Sequence, residues 1–588
     1  MSLSHSMKRQ QAPWLLLAAG AVSWACTAEI SGKGSAPAAS GAPAAGNGAA
    51  SAGGSAVTAS APLPLQREQV TAACQAKAGA LDTGRTPLRR LTRSEIDKSV
   101  SYLLQVDAGA AEQVTPDEKM GPFYSNAVAP VDDLAVSQYH ELATRVATAA
   151  LPRMADIAGC DLASDEACAG SFIESFGEKA YRRPVEPAEK TALLALFDAS
   201  KATGGVALGF QSVVEAMLQS PFFLYHDDTH VTQAGAAPHP SAAPLPLDPY
   251  ALAARLSFFL IGRTPDDALL EAAAQNQLST PEQLAAQAKR LLASDEASET
   301  IGQFHRQWLG VGDLLGIDRV SPLFSPALAA AAYDETKLFA NYVLRQGDGK
   351  LSTLLTSNLA FPSGPLFQVY GATPPGGYQP GTPVPLDPSQ RAGLLTQAAF
   401  LMDHSHPDQT SPVHRGILIR ENILCGTIAP PPPGLVVVVP PVTPATSTRQ
   451  RFAEHEANPV CGGCHKFMDP LGLGFENYDQ VGAYRTVDGL GPVDASGEFS
   501  NVGPDLAGPF VGAVQMSQQL AKSTEVADCV SRQWLRFALG RLESSADACT
   551  VAKLQNDFDS SGGDVPQLLA DVVVSEAFRY VRSTGGNL

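Results

Sequence analysis

Residues Cys461, Gly462, Gly463, Cys464 and His465 spell C-x-x-C-H, and this short run constrains the fold more than any other part of the 588-residue chain. One turn of chain sets two thiols where they can add to the two vinyl groups of a porphyrin, while the adjacent imidazole reaches the iron from the proximal side. The two glycines let the backbone pass close to the ring edge. On this reading Cys461 and Cys464 are the thioether sites of one haem c per chain, and His465 is its iron ligand. Two other chemistries use the same atoms. A reduced Cys461–Cys464 pair can bind zinc with His465 and His455, and two neighbouring thiols can close a local disulfide.

The flanks predict a small haem domain over 447–588. Ser447 or Thr448 can cap a short helix through Phe452 and His455, and the stretch MDPLGLGFENYDQVGAYR that follows the motif suits a loop around an apolar ring system. From Glu525 to Leu542, the residues Val526, Val530, Trp534, Phe537 and Ala538 share one helical face, able to pack on the first helix and the haem edge. In order of elements this resembles a class I cytochrome c domain. Met468 follows His465 too closely to reach the opposite face of the ring, so Met516 is the candidate sixth ligand. With Met516 bound the iron is a closed one-electron relay; with that position open, peroxide or oxygen can bind.

The start of the chain predicts export. Lys8 and Arg9 precede an apolar run from Pro13 through Val22, ending past Ser23 at Ala25 and Cys26, which reads as a signal peptide over 1–25. Ala25 followed by Cys26 resembles a bacterial lipoprotein processing site, although Ser23 and Trp24 depart from that pattern; lipid on Cys26 would be the chain's sole link to a membrane. Residues 26–66 are dominated by Ala, Gly, Ser and Pro and read as a flexible tether. No later window reaches the roughly 20 apolar residues of a spanning helix. An extracytoplasmic address, periplasm or outer membrane, also favours disulfides. Besides Cys26 and the motif pair there are six cysteines, for which Cys160–Cys168 is the local pairing and Cys529–Cys549 a second expectation.

The rest reads as mainly α: a multi-domain helical body followed by the C-terminal cytochrome c-like domain. Helical periodicity runs through Asp133–Leu151, Pro187–Leu196, Leu247–Leu260, Pro281–Leu292, Ala327–Leu344. Punctuation at Gln233–Pro246, Gly371–Pro388 and Pro430–Thr446 divides the body into 67–232, 245–370 and 389–429, with a Pro-rich linker over 430–446. Lys plus Arg number 41 against 59 Asp plus Glu, a formal charge of −18, which repels phosphate backbones and argues against a nucleic-acid partner. The basic run Arg85, Arg89, Arg90, Arg93 reads as a solvated helix face with carboxylate partners. Phosphate loops, dinucleotide fingerprints, nucleophile elbows and zinc-protease histidine pairs are missing from the sequence. His404, His406 and His414 read as exposed polar residues rather than metal ligands.

Several stretches resemble a known family. PLRRLTRSEID near Pro87, YRRPVEPAE near Tyr181, LQSPFFLY near Leu218, LDPYALAARLSFFL near Leu247, RAGLLTQAAFL near Arg391, TSPVHRG near Thr410 and CGGCHKFMDPLGLGFENYDQVGAYRT are similar to successive modules of exported planctomycete and myxobacterial proteins. Those modules are domains of unknown function numbered 1587, 1595, 1592, 1588 and 1585, cytochrome c-like at the C-terminal end. Ile261 stands where the pattern has Trp. The resemblance implies thioethers at Cys461 and Cys464 and iron ligation by His465, and it extends to His455, Asp469, Glu476, Asp479 and Arg485. For these last residues the plain expectation is that Asp469 and Asp479 shape turns and Arg485 pairs with a carboxylate; the sharper one puts His455 or Arg485 on a haem propionate. The function expected is one-electron transfer with an unidentified redox partner or substrate. A haem peroxidase or oxygenase with an open distal site, and a non-redox surface-binding protein, are the alternatives.

Overall fold

The computed structural model describes residues 66–582 except 128–130, 163–165, 227–243, 430–438 and 458–460. The expected signal peptide, Cys26, nearly all of the expected tether and most of 233–246 and 430–446 therefore lie outside the described residues. What is described is mainly helical, with only short two-stranded ladders. Among the described residues no helix is long and apolar enough to cross a membrane.

Helix starts follow local chemistry. Asp248 accepts from the Ala251 N–H and Pro249 occupies the first helical position, giving the helix Pro249–Ile261. Thr280 and Gln283 form a capping box that opens Pro281–Leu292 at its expected bounds. Asp132 caps Asp133–Ala150 by accepting from the Ala135 N–H. The helix from Pro326 ends at Asn341 and widens into a π-turn over Tyr342–Gln346.

Side chains gather in two cores. One is made by residues between Leu91 and Phe223 with Phe258 added. The other runs from Val70 through the centre of the chain to Val581. Segments distant in sequence are tied into this second core at several points. Leu245–Pro246 pairs antiparallel with Tyr580–Val581. Asp547, wholly buried, accepts from the Gly84 N–H at 2.8 Å and pairs with Arg541 at 2.8 Å. Burial alone would raise the Asp547 carboxyl, but Arg541 and the Gly84 and Ser544 amides hold it down to about 2.

Disulfides join Cys160–Cys168, as the spacing suggested, but also Cys74–Cys549 and Cys425–Cys529. The expected Cys529–Cys549 pair does not form. Cys529 lies on the helix Thr524–Leu539 facing the segment after Ile423, whereas Cys549 faces the helix Arg67–Gln75. The basic run is also corrected in part. Arg89 does approach Glu95, at 3.7 Å, but Arg90 is buried and reaches the Tyr139 hydroxyl at 3.4 Å.

The predicted apolar face of the last module is buried, yet against a different partner. Trp534 stacks on Phe304 with centroids 3.4 Å apart, and Phe537 packs edge-on to Phe123 and Phe304. The helix Thr524–Leu539 thus docks on the central helix Glu296–Trp308 rather than closing over the C-x-x-C-H segment. Large rings packed on one another bury much apolar area, and Trp534 and Phe537 find these partners on Phe123 and Phe304.

One buried acid makes stability depend on pH. Glu335, fully inaccessible, accepts from the Phe361 N–H at 3.0 Å and from the Tyr370 hydroxyl, which itself accepts from the Ala398 N–H at 3.0 Å. Burial raises its carboxyl from 4.5 to about 7, outweighing these hydrogen bonds. The folded chain therefore binds this proton more tightly than the unfolded chain, so the stability it confers is complete below pH 4.5 and is lost as pH rises through about 7. Glu335→Gln removes this loss. Urea unfolding should show the variant gaining on the wild type by about 3 kcal/mol between those limits. Parallel stability curves for the two proteins would contradict the assignment.

Candidate functional site

Cys461 stands at the N-cap of the helix Gly462–Leu473, which carries the rest of the motif. Both motif thiols are free and partly exposed, whereas the other six described cysteines are all bridged. A Cβ added at Gly463 would meet nothing within 4 Å, so the outer side of the motif is open.

The inner side of the same helix is pressed against the helix Pro412–Leu418. A Cβ added at Gly472 would lie 1.7 Å from the Pro412 carbonyl oxygen, and one at Gly416 would lie 1.9 Å from that of Met468. The backbones touch at both crossings, which only glycine allows. The TSPVHRG run and the run that begins at Cys461 are thus packed backbone to backbone.

His465 is only partly exposed, and its Nδ1 lies 2.9 and 3.0 Å from the two carboxylate oxygens of Asp469, a residue one turn on and 1% exposed. A carboxylate there accepts the Nδ1–H, which fixes the tautomer with its lone pair on Nε2. Asp469 was expected to shape a turn; it is instead the residue that orients the imidazole. Its spacing of four from His465 on a helix is the signal that could have found it.

Asp479 and Arg485 take the plainer role. Asp479 Oδ1 accepts from the Val481 and Ala483 amides and so shapes the turn. Arg485 pairs with Glu476 at 2.6 Å and Asp488 at 3.2 Å. His455 lies on the helix Thr448–Ala457, opened by Ser447 and Gln450, but its side chain is outside the described set. Arg415, given no role from sequence, is wholly buried and donates to the carbonyls of Leu401, Phe475, Tyr478 and Asp479. It ties TSPVHRG to the FENYD loop, and burial pushes its guanidinium down to about 10.

Met516 is placed differently from expectation. It is fully buried in the main core, with its methyl 2.8 Å from where a Gly474 Cβ would be. Gly474 is nine residues beyond His465, about 13 Å along a helix. Met516 is core filler. His404 is also corrected: it is largely enclosed, its Nε2 donates to the Leu309 carbonyl at 2.7 Å, and burial lowers it to about 4. The His406 and His414 rings lie 5.0 Å apart. Among the described residues no group of three or more His, Cys, Asp or Glu is arranged to hold a metal ion.

The donor set nevertheless fits a covalently attached haem: two unbridged thiols at one open helix start, and an imidazole whose second nitrogen is anchored by a carboxylate. Cys461 and Cys464 would hold the porphyrin and His465 its iron.

Five family models match the chain in succession. Residues 89–152 match a protein of unknown function (DUF1587), 168–228 a second (DUF1595), 247–372 a third (DUF1592), 391–488 a fourth (DUF1588) and 508–578 a fifth (DUF1585). The chain is an assembly of these five modules. The DUF1588 module spans Arg391 to Asp488, so it contains both the helix Pro412–Leu418 and the C-x-x-C-H helix, in agreement with their backbone contact. The DUF1585 module contains Met516 and Trp534, the residues that turned out to serve the core. No curated protein and no solved structure matches the chain.

Proposed function

We propose that this five-module chain is an exported c-type haem protein that transfers single electrons at the cell envelope. One observation carries the reading: Cys461 and Cys464 are the two unbridged thiols among the described cysteines, and they begin the helix on which a buried carboxylate orients His465. Covalent haem supplies reversible one-electron chemistry at its iron. The chain's own share is to hold the ring by two side chains, to present Nε2 of His465, and to keep a proton on Nδ1 through Asp469. Three disulfides support an oxidising compartment. With them goes the proposal that residues 1–25 direct export and that Cys26 carries a lipid.

The test is maturation of the full chain in a bacterial periplasm, followed by intact mass and haem staining after denaturation. The wild type should carry one covalent porphyrin, and Cys461→Ala with Cys464→Ala should carry none while keeping its thermal midpoint. A wild-type chain with the mass of polypeptide and lipid alone would end the haem reading.

A second reading, a haem peroxidase or oxygenase, is favoured by the burial of Met516 away from the motif and by the Asp469–His465 pair. A carboxylate on Nδ1 makes the imidazole a stronger donor and lowers the iron potential. Asp469→Asn should raise that potential by tens of millivolts, read by redox titration. An added exogenous ligand such as cyanide should shift the ferric spectrum of the wild type under this second reading and leave it unchanged under the relay reading.

A further inference from the structure

A cleft of about 370 Å³ lies on the DUF1588 module and is lined by none of the three motif residues. Three segments build it: the approach to the helix Pro412–Leu418, the lead into the helix Thr448–Ala457, and the stretch that follows the FENYD loop. Asp408, Thr443, Thr446, Arg451, Arg485 and Asp488 supply most of its chemistry. Its volume falls within the roughly 300–1,000 Å³ of small-molecule sites.

The two arginines are held in place before any ligand arrives. Arg451 donates to the Thr446 carbonyl at 2.7 Å and the Thr448 hydroxyl at 3.0 Å, and among the described residues its buried Nε has no hydrogen-bond partner. Arg485 is clamped by Glu476 and Asp488. Fixed donors reduce the ordering cost of binding. Opposite in sign stands Asp408, exposed at the cleft mouth. Val442, half-exposed, also lines the cleft, and Val487 and Leu490 are exposed on the hairpin that carries Asp488.

This mixture selects its occupant by exclusion. An anionic ligand meets Asp408 and Asp488, and a cationic one meets Arg451 and Arg485. A flat apolar ring would strip water from all four charges without replacing their hydrogen bonds. A neutral polyhydroxylated molecule can donate to carboxylates, accept from guanidiniums and do both with threonine hydroxyls, while its C–H faces rest on Val442. We propose that the cleft binds a neutral sugar segment of an oligosaccharide. The proposal goes beyond the haem reading and stands independently of it, since Cys461, Cys464 and His465 do not line the cleft.

The experiment uses the full matured chain against an immobilised panel of neutral cello-, xylo-, manno- and galacto-oligosaccharides, with oligogalacturonate and chitosan oligomers as charged controls. At least one neutral series should bind. Asp408→Ala and Thr443→Val, which remove polar groups at the cleft without touching the core, should each weaken that binding by about tenfold at an unchanged thermal midpoint. Binding of none of the panel, binding of the charged controls alone, or neutral binding indifferent to both substitutions would overturn the proposal. Haem content measured on the same sample reports separately on the electron-transfer reading.

Discussion

Gly472→Ala should destabilise the chain by about 3 kcal/mol, a large effect for adding one methyl group. The new Cβ would stand 1.7 Å from the Pro412 carbonyl oxygen and 2.4 Å from its carbonyl carbon. These are backbone atoms, which cannot swing aside as the end of a side chain can. The helices Pro412–Leu418 and Gly462–Leu473 must separate, which also opens the second crossing at Gly416. Ordinarily alanine is the better helix former, by roughly 1 kcal/mol. Gly463→Ala, whose Cβ meets nothing within 4 Å on the same helix, should therefore be neutral or mildly stabilising. Urea unfolding of the two variants side by side makes the comparison. Equal stabilities would mean that the helices do not cross in backbone contact.

Arg415→Met should cost roughly 3–5 kcal/mol, although methionine fills much of the same volume. The guanidinium is wholly buried and donates to the Leu401 carbonyl and the Ser405 hydroxyl, each at 2.9 Å, and to the Phe475 and Asp479 carbonyls, each at 3.1 Å. Removing it leaves these acceptors buried without their partner and deprives Glu476, 3.9 Å away, of one of its two cations. Arg415→Lys should recover little, because an ammonium cannot reproduce the fork that reaches several carbonyls at once. The thermal midpoint and the protease sensitivity of the FENYD loop report the effect. A midpoint within a degree of wild type would show that the loop is held by other contacts.

The sequence by itself determined the helical class, many helix starts and the gathering of the motif residues on one helix. Asp248 before Pro249 and Thr280 with Gln283 are local signals, satisfied within one turn of chain, so they could be read without knowing what the helices touch. The same holds for Cys461, Cys464 and His465, whose spacing along one helix brings them together. Cys160–Cys168 was legible because its two ends are eight residues apart.

Tertiary structure alone decided what lies across from what. Cys529 pairs with Cys425 rather than Cys549, Met516 fills the core rather than facing the motif, and Trp534 stacks on Phe304 more than two hundred residues away. An apolar face or a thiol records that a partner is needed, not which partner, since hydrophobic burial is non-directional and many pairings satisfy it. The choice is made by close packing, where a carbonyl against Gly472 or a ring against Trp534 fits in one arrangement and not in its rivals.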